Sequence, residues 1–344
     1  MYKKYAEFAV EKAKEILAVD SPTGYTLNAA EFVKSEFEKL GFKAFITEKG
    51  GVAVELGGKD KNNALLLEAH LDTLGGMVAE IKSNGRLRIT PLGGLNGHNT
   101  EGENCRIITR QNGIYEGTFL LHNPSIHVNG EFNKTDRSFS NMEVVIDEDV
   151  KNAEDVKKLG IMNGDIVAFD TRTVVTKSGY IKSRFLDDKL SVSAILGFAK
   201  LLKDENIVPE RKIYLHITVY EEVGHGAAAV PFTGITEVLS VDMGCVGDGL
   251  LCTEKQVSIC AKDSGGPYSY EMTSKLIEAA EKTGAGFAVD IYPHYGSDAE
   301  ATLRAGHDFR HGLIGPGVYS SHGYERSHID GVENTIKILH GFVV

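Results

Sequence analysis

The chain is short of cysteine, of unbroken apolar runs and of positive charge, and each shortage closes off a class of protein. Its four cysteines, Cys105, Cys245, Cys252 and Cys260, form no C-x-x-C pair and no paired framework. That speaks against a disulfide scaffold and for reduced thiols in a cytoplasmic protein. No apolar stretch approaches the roughly 20 residues of a membrane span. The opening "MYKKYAEFAVEKAKEILAVD" takes charges at Glu7, Glu11, Lys12, Lys14 and Glu15, so it lacks the apolar centre of a secretion signal. Lysine and arginine number 37 against 48 aspartates and glutamates, a net charge of -11. A general nucleic-acid binder needs a basic surface to meet phosphate, and docking on an anionic membrane needs one too, so neither partner is expected. Internal repeats and low-complexity tracts are missing as well.

What is present is a globular composition, 42% apolar and 25% charged over 344 residues, enough for one large domain or two ordinary ones. Helical spacing of apolar residues predicts two amphipathic helices at the start, separated by the turn "SPTG". "FKAFITE", "GVAVELG" and "NALLLEAHLDT" then read as strands, the last carrying His70 at its C-terminal end. From about Leu74 to Val175 the character changes: glycines are frequent, short β-like runs recur ("RLRIT", "CRIIT", "GTFLL", "MEVVID", "DIVAFDT"), and only "NAEDVKKLG" looks helical. After it, strand and helix alternate: "DDKLSVSAILGFAKLLKD", "RKIYLHITVY", "TEVLSVD", "VSICAK", "YSYEMTSKLIEAAEKTG", "FAVDIY" and "NTIKILHGF". The expected fold is α/β: a doubly wound mixed sheet flanked by helices, formed by residues 1–73 and 176–344, with a small β-barrel-like domain inserted at 74–175.

Acidic and imidazole residues fall at or just after the strand ends: His70-x-Asp72, Asp187-Asp188, Glu221-Glu222, Asp242 and His322. Ligands of open α/β sheets bind outside the carboxyl ends of the strands, so these positions converge on one crevice. Two histidines with several carboxylates suit zinc, cobalt or manganese. Two metals close together need a carboxylate between them and mixed N/O ligands on either side. The adjacent pair Glu221-Glu222 then makes sense as two residues with two tasks. On a strand they would point to opposite faces, one to ligate a metal and the other to hold a water as general base.

At these residues the sequence resembles the co-catalytic metallo-aminopeptidases of the TET-type (tetrahedral) or glutamyl aminopeptidase family. The matching motifs are "AHLDT" (Ala69 to Thr73), "RFLDDK" (Arg184 to Lys189), "EEVG" (Glu221 to Gly224), "VDMG" (Val241 to Gly244), "GSDA" (Gly296 to Ala299) and "HGYE" (His322 to Glu325). A related clan of carboxypeptidases and dipeptidases shares "HLDT" and "EEVG", but an insertion between the first and second ligands is the TET-type arrangement. The resemblance implies two divalent ions, zinc or cobalt with manganese as a further option. Asp187 would bridge them, His70 and Asp242 would complete one site, and Glu222 and His322 the other. It makes Glu221 the general base and has Asp72 orient His70. Asp298 matches a family residue near the substrate, and also reads as a helix N-cap. It further implies removal of N-terminal residues from short peptides and a homo-oligomer, often a dodecamer built from dimers through the inserted domain.

Other readings stay open on the same residues. A dipeptidase or N-acyl deacylase would use the same ligands. A glycosidase fits poorly, because carboxylates claimed by metals cannot serve as the protonated acid of sugar hydrolysis. A non-catalytic metal-binding scaffold would have no need of Glu221. His225 reads as a loop histidine, His127 as a loose match in the inserted domain, and Lys189 as a local salt-bridge partner.

Overall fold

One strand, Asp60–His70, sets the architecture. Its residues from Ala64 to His70 are all buried, and alternate side chains on a strand face opposite ways. Ala64 and Leu66 pack with Val238, Tyr268, Tyr292, Ala299 and Leu313 in one cluster, while Leu65 and Leu67, on the other face, are equally buried. Both faces must therefore be covered, which is the setting in which parallel strands occur.

The computed structural model describes residues 1–111 and 113–344. They divide into two compact units, Met1–Asp72 with Arg172–Val344, and Thr73–Thr171. In the first, Asp60–His70 lies between the parallel strands Arg211–Thr218 and Ile235–Val241, and Arg310–Tyr319 runs parallel beyond the latter. Val52–Gly57 and Lys43–Ile46 extend one side antiparallel; Glu325–His328, Tyr180–Ser183 and Val174–Val175 extend the other. The sheet is mixed and 12-stranded. Helices Lys3–Leu17, Leu186–Asp204 and Ile329–Val343 pack on one another. Among the described residues no helix is long and apolar enough to cross a membrane.

The second unit is a closed barrel, in the order Gly75–Ile81, Leu87–Leu92, Met142–Ile146, Ile114–Leu121, Asn104–Ile108 and Ile166–Phe169. Its interior is filled by side chains such as Val78, Ile89, Ile107, Val144 and Val167, all buried, with Phe119 edge-on to Phe169 at 5.7 Å. The helix Ala153–Lys158 starts where Asn152 accepts N–H bonds from Glu154 and Asp155.

Three features depart from the sequence reading. The insertion ends at Thr171 rather than at 175, because Val174–Val175 pairs with Tyr180–Ser183 in the large sheet. The strand Arg310–Tyr319 was not among the expected elements; it contains Gly312, Gly315, Pro316 and Gly317. Two of these are there because neighbouring backbone passes too close for a side chain: a Cβ would lie 1.7 Å from the carbonyl oxygen of Asp242 at Gly315 and 2.2 Å from that of Thr253 at Gly317. Finally, Glu221 and Glu222 are not on a strand. The strand stops at Thr218, Tyr220 takes a left-handed φ of 72°, and Glu221–Val223 form a 3₁₀ turn. The two carboxylates still diverge, by the roughly 120° step of that turn rather than by strand alternation.

Candidate metal centre

The centre lies at the carboxyl ends of the parallel strands. His70 ends one strand, Asp242 follows the next, and Glu221 and Glu222 sit on the turn after Thr218. Asp187 stands at the start of the helix Leu186–Asp204, and His322 on the turn between Arg310–Tyr319 and Glu325–His328. The structure thus brings together all five residues expected to ligate metal, with Glu221 beside them.

Asp187 is the hub. Its Oδ1 lies 3.0 Å from His70 Nε2, and its Oδ2 lies 3.5 Å from His322 Nε2. Glu222 Oε2 approaches His322 Nε2 to 3.6 Å, while Glu221 Oε2 and Asp242 Oδ1 stand 3.7 and 4.0 Å from His70 Nε2. A cavity of about 680 Å³ opens over this cluster, lined by Asp187, Glu221, Glu222, Asp242, Tyr295 and His322 among others.

Further residues hold the cluster in place. His70 Nδ1 meets the main-chain carbonyl of Asp72 at 3.0 Å, which fixes the ring's orientation. The Asp72 carboxylate does something else: Oδ1 accepts the N–H of Glu221 at 3.1 Å and Oδ2 the hydroxyl of Thr23 at 2.7 Å. Glu325 accepts the N–H groups of Asp187 and His322. Tyr295 donates its hydroxyl to the carbonyl of Met243 at 3.1 Å, next to Asp242. No local sequence signal marks Tyr295, and Glu325 was visible only as the end of a motif.

The electrostatics are those of an uncompensated acidic cluster. Burial, and then Asp187, push the Glu222 carboxyl up to about 8 and that of Asp242 to about 7. Burial also raises Glu221, helped by Asp242, Asp298 and Glu222. Asp187 is held below the usual range: burial opposes its charge, but hydrogen bonding from His322 and His70 wins. His70 is raised against its burial by Glu221, Asp187 and Asp242. A cation would relieve the repulsion among such carboxylates. The residues fit one, because donor atoms of His70, Asp187 and Glu222 lie within 4.8 Å of one another, as do those of His70, Asp188 and Asp242. The buried oxygens Glu222 Oε1 and Asp188 Oδ1 also have no hydrogen-bond partner among the described residues.

Asp188 is a donor that the sequence reading left without a role; its Oδ2 accepts the N–H of His70 at 3.2 Å. Asp298 lines the cavity but its carboxylate is engaged by the Thr218 hydroxyl and by the N–H of Ala227 at 2.8 Å. The capping position of its helix is taken by Ser297. His225 is exposed and stacks on Tyr220, with ring centroids 5.2 Å apart. His127 lies on an exposed loop of the barrel unit. Lys189 is buried and donates to the carbonyls of Ile16 and Val19 at 3.2 and 2.6 Å, rather than to a carboxylate.

Comparison with known proteins bears on this geometry. Residues 50–338 match the profile of the M42 glutamyl aminopeptidase family. YhfE of Bacillus subtilis (strain 168), a candidate aminopeptidase by name, is 42% identical over 334 residues, covering 97% of this chain and 96% of YhfE. The aminopeptidase APDkam598 from the archaeon Desulfurococcus kamchatkensis has a similar structure, with a TM-score of 0.88 at 21% identity, covering 98% of this chain and 95% of that one. The Pyrococcus horikoshii TET1 peptidase, described as able to assemble into a tetrahedron or a large octahedral shell, gives a TM-score of 0.86 at 23% identity, covering 97% and 99%. At such identities the two structures speak to the shared fold alone.

Proposed function

The chain belongs to the M42 glutamyl aminopeptidase family and is a peptide-bond hydrolase, and from that premise we propose that it releases N-terminal residues from short peptides using two divalent cations and Glu221 as general base. One observation carries the reading: the two oxygens of Asp187 each face a different histidine, Oδ1 His70 and Oδ2 His322, as a carboxylate shared by two cations would. Asp187 would be common to both, with His70 and Asp242 completing one set of donors and Glu222 and His322 the other. Zinc, cobalt or manganese bound there would polarise the scissile carbonyl and make water a stronger nucleophile at neutral pH.

The chain's own part is to place and move a proton. Glu221 would take the proton that water loses as its oxygen bonds to the carbonyl carbon, and would give it to the amine nitrogen as the C–N bond breaks. Burial and neighbouring carboxylates raise its affinity for a proton, which suits a group that must hold one between these events. Asp72 holds the main chain of Glu221 with its carboxylate and the ring of His70 with its carbonyl. The acidic lining of the cavity favours the ammonium of a free peptide N-terminus.

The barrel unit would serve assembly of a homo-oligomer, dimer-based and possessing the architecture of a dodecamer. Its exposed Ile126 and Val128 suit a protein interface, and a monomer mass by light scattering overturns this part. The chemistry is tested with cation-stripped protein on aminoacyl-p-nitroanilides and their N-acetylated counterparts, adding back zinc, cobalt or manganese. Cleavage confined to free-amine substrates with cation present is expected. Preference for the acetylated series would make the enzyme a deacylase, and silence with cation bound would leave a binding role.

A further inference from the structure

Glu325 closes the motif that begins at His322, yet the chemistry above gives it no part. Its side chain is almost fully buried at the start of the strand Glu325–His328. Oε2 accepts the N–H of Asp187 and Oε1 the N–H of His322, each at 3.1 Å. One carboxylate therefore ties together the main chains of two donors that come from distant parts of the sequence.

His322 needs such a tie. Its side chain is 41% exposed, against 9% for Asp187 and 5% for Glu222, so packing does little to hold it. Its turn contains two non-glycine residues in the left-handed region, Ser320 at φ 62° and His322 at φ 59°, a conformation that costs L-residues energy unless hydrogen bonds hold it. The turn is closed by the N–H of Gly323 on the carbonyl of Ser320 at 3.0 Å, and Arg184 reaches the carbonyl of Gly323 at 3.3 Å. The contact to Glu325 links the main chain of this turn to that of Asp187.

Resting on the two-cation reading, we infer that Glu325 is a positioning residue. It sets the separation of Asp187 and His322, and so governs the affinity of the cation that His322 and Glu222 would hold. The opposite donor set, His70 and Asp242, is held by other contacts and depends on it less.

Calorimetric titration of cation-stripped protein with Zn²⁺ tests this. In Glu325→Gln the amide can accept only one of the two N–H groups, because its NH₂ opposes the other donor. One of two equivalents is expected to weaken about 10–100-fold, the range for partners that orient ligands, and the other by much less. Glu325→Asp keeps the charge but is too short to reach both N–H groups, and is expected to show the same selective loss. It also keeps the test alive if Glu325→Gln folds poorly. His322→Ala should weaken the same equivalent, and adding Glu325→Gln to it should change little further. Equal weakening of both equivalents, unchanged binding in both Glu325 variants, or full additivity in the double variant overturns the inference. Wild type binding a single equivalent would instead overturn the two-cation reading, an outcome seen before any variant is made.

Discussion

His70 and His322 face different oxygens of the same carboxylate, but the fold holds them differently. His70 ends a central strand, is 2% exposed, and is fixed by the carbonyl of Asp72 at its ring and by Asp188 at its main chain. His322 hangs on an exposed turn with left-handed backbone, fixed chiefly by Glu325. One half of the centre is built into the sheet; the other is carried by a loop. On the proposed two-cation reading, the difference teaches that the two donor sets need not bind their cations equally, since the orientation of a ligand is part of its affinity.

The largest expected effect leaves both halves intact and removes the carboxylate proposed to carry the proton. Glu221→Gln should lower kcat by about 10²–10⁴, the usual share of general acid–base catalysis, while both cations still bind. Steady-state kinetics beside a metal count by mass spectrometry check this.

The halves are then separated by removing each histidine. His322→Ala should release one cation and leave the melting temperature nearly unchanged, because the side chain is exposed. His70→Ala should weaken both cations, since it opens a buried gap beside Asp187, and should also lower the melting temperature. Calorimetric titration with thermal unfolding reads both, and identical behaviour of the two variants would dissolve the comparison. Cation binding at the His322 half should also be proton-linked. Burial opposes its charge, but Asp187 and Glu222 push the ring up to about 10, so a cation must displace a proton at neutral pH and binding should weaken as pH falls.

A third histidine gives the smallest effect, with its pKa shifted the other way. His216 lies on the neighbouring strand, opposite Glu68, and is as buried as His70. Burial, then Lys49, lower it to about 3. Its folded pKa thus lies below the 6.5 of an ordinary histidine. The unfolded chain takes up a proton that the folded one refuses, and stability falls as pH drops from about 6.5 toward 3. The slope from this group is at most about 1.4 kcal/mol per pH unit. His216→Leu should flatten that limb, measured by denaturant unfolding at pH 7 and pH 5. An unchanged slope would show that His216 does not titrate this way.

The same contrast explains what could be read from the sequence. His70 and Asp242 follow apolar runs whose period and length identify strands, and Asp187-Asp188 opens a strongly patterned helix, so their convergence follows from α/β topology. The strand leading to His322 went unread, because it is rich in glycine; Gly315 and Gly317 in it mark close backbone approach. The bracing groups were hidden for a different reason. Glu325 meets Asp187, and Tyr295 meets Met243, across long sequence separations, and no local pattern encodes such contacts. That Glu221 and Glu222 both lie at the site was legible, but the 3₁₀ turn that separates them depends on the left-handed Tyr220, which has no glycine to announce it.

The most direct measurement counts cations against activity. Cation-stripped protein is titrated with Zn²⁺, and hydrolysis of a free-amine aminoacyl-p-nitroanilide is followed at each step, for wild type and Glu221→Gln. Wild-type activity should appear with the second equivalent and saturate at two, while the variant binds two and stays almost silent. Full activity with one equivalent or none, or a Glu221→Gln variant as active as wild type, would contradict the two-cation mechanism with Glu221 as its base.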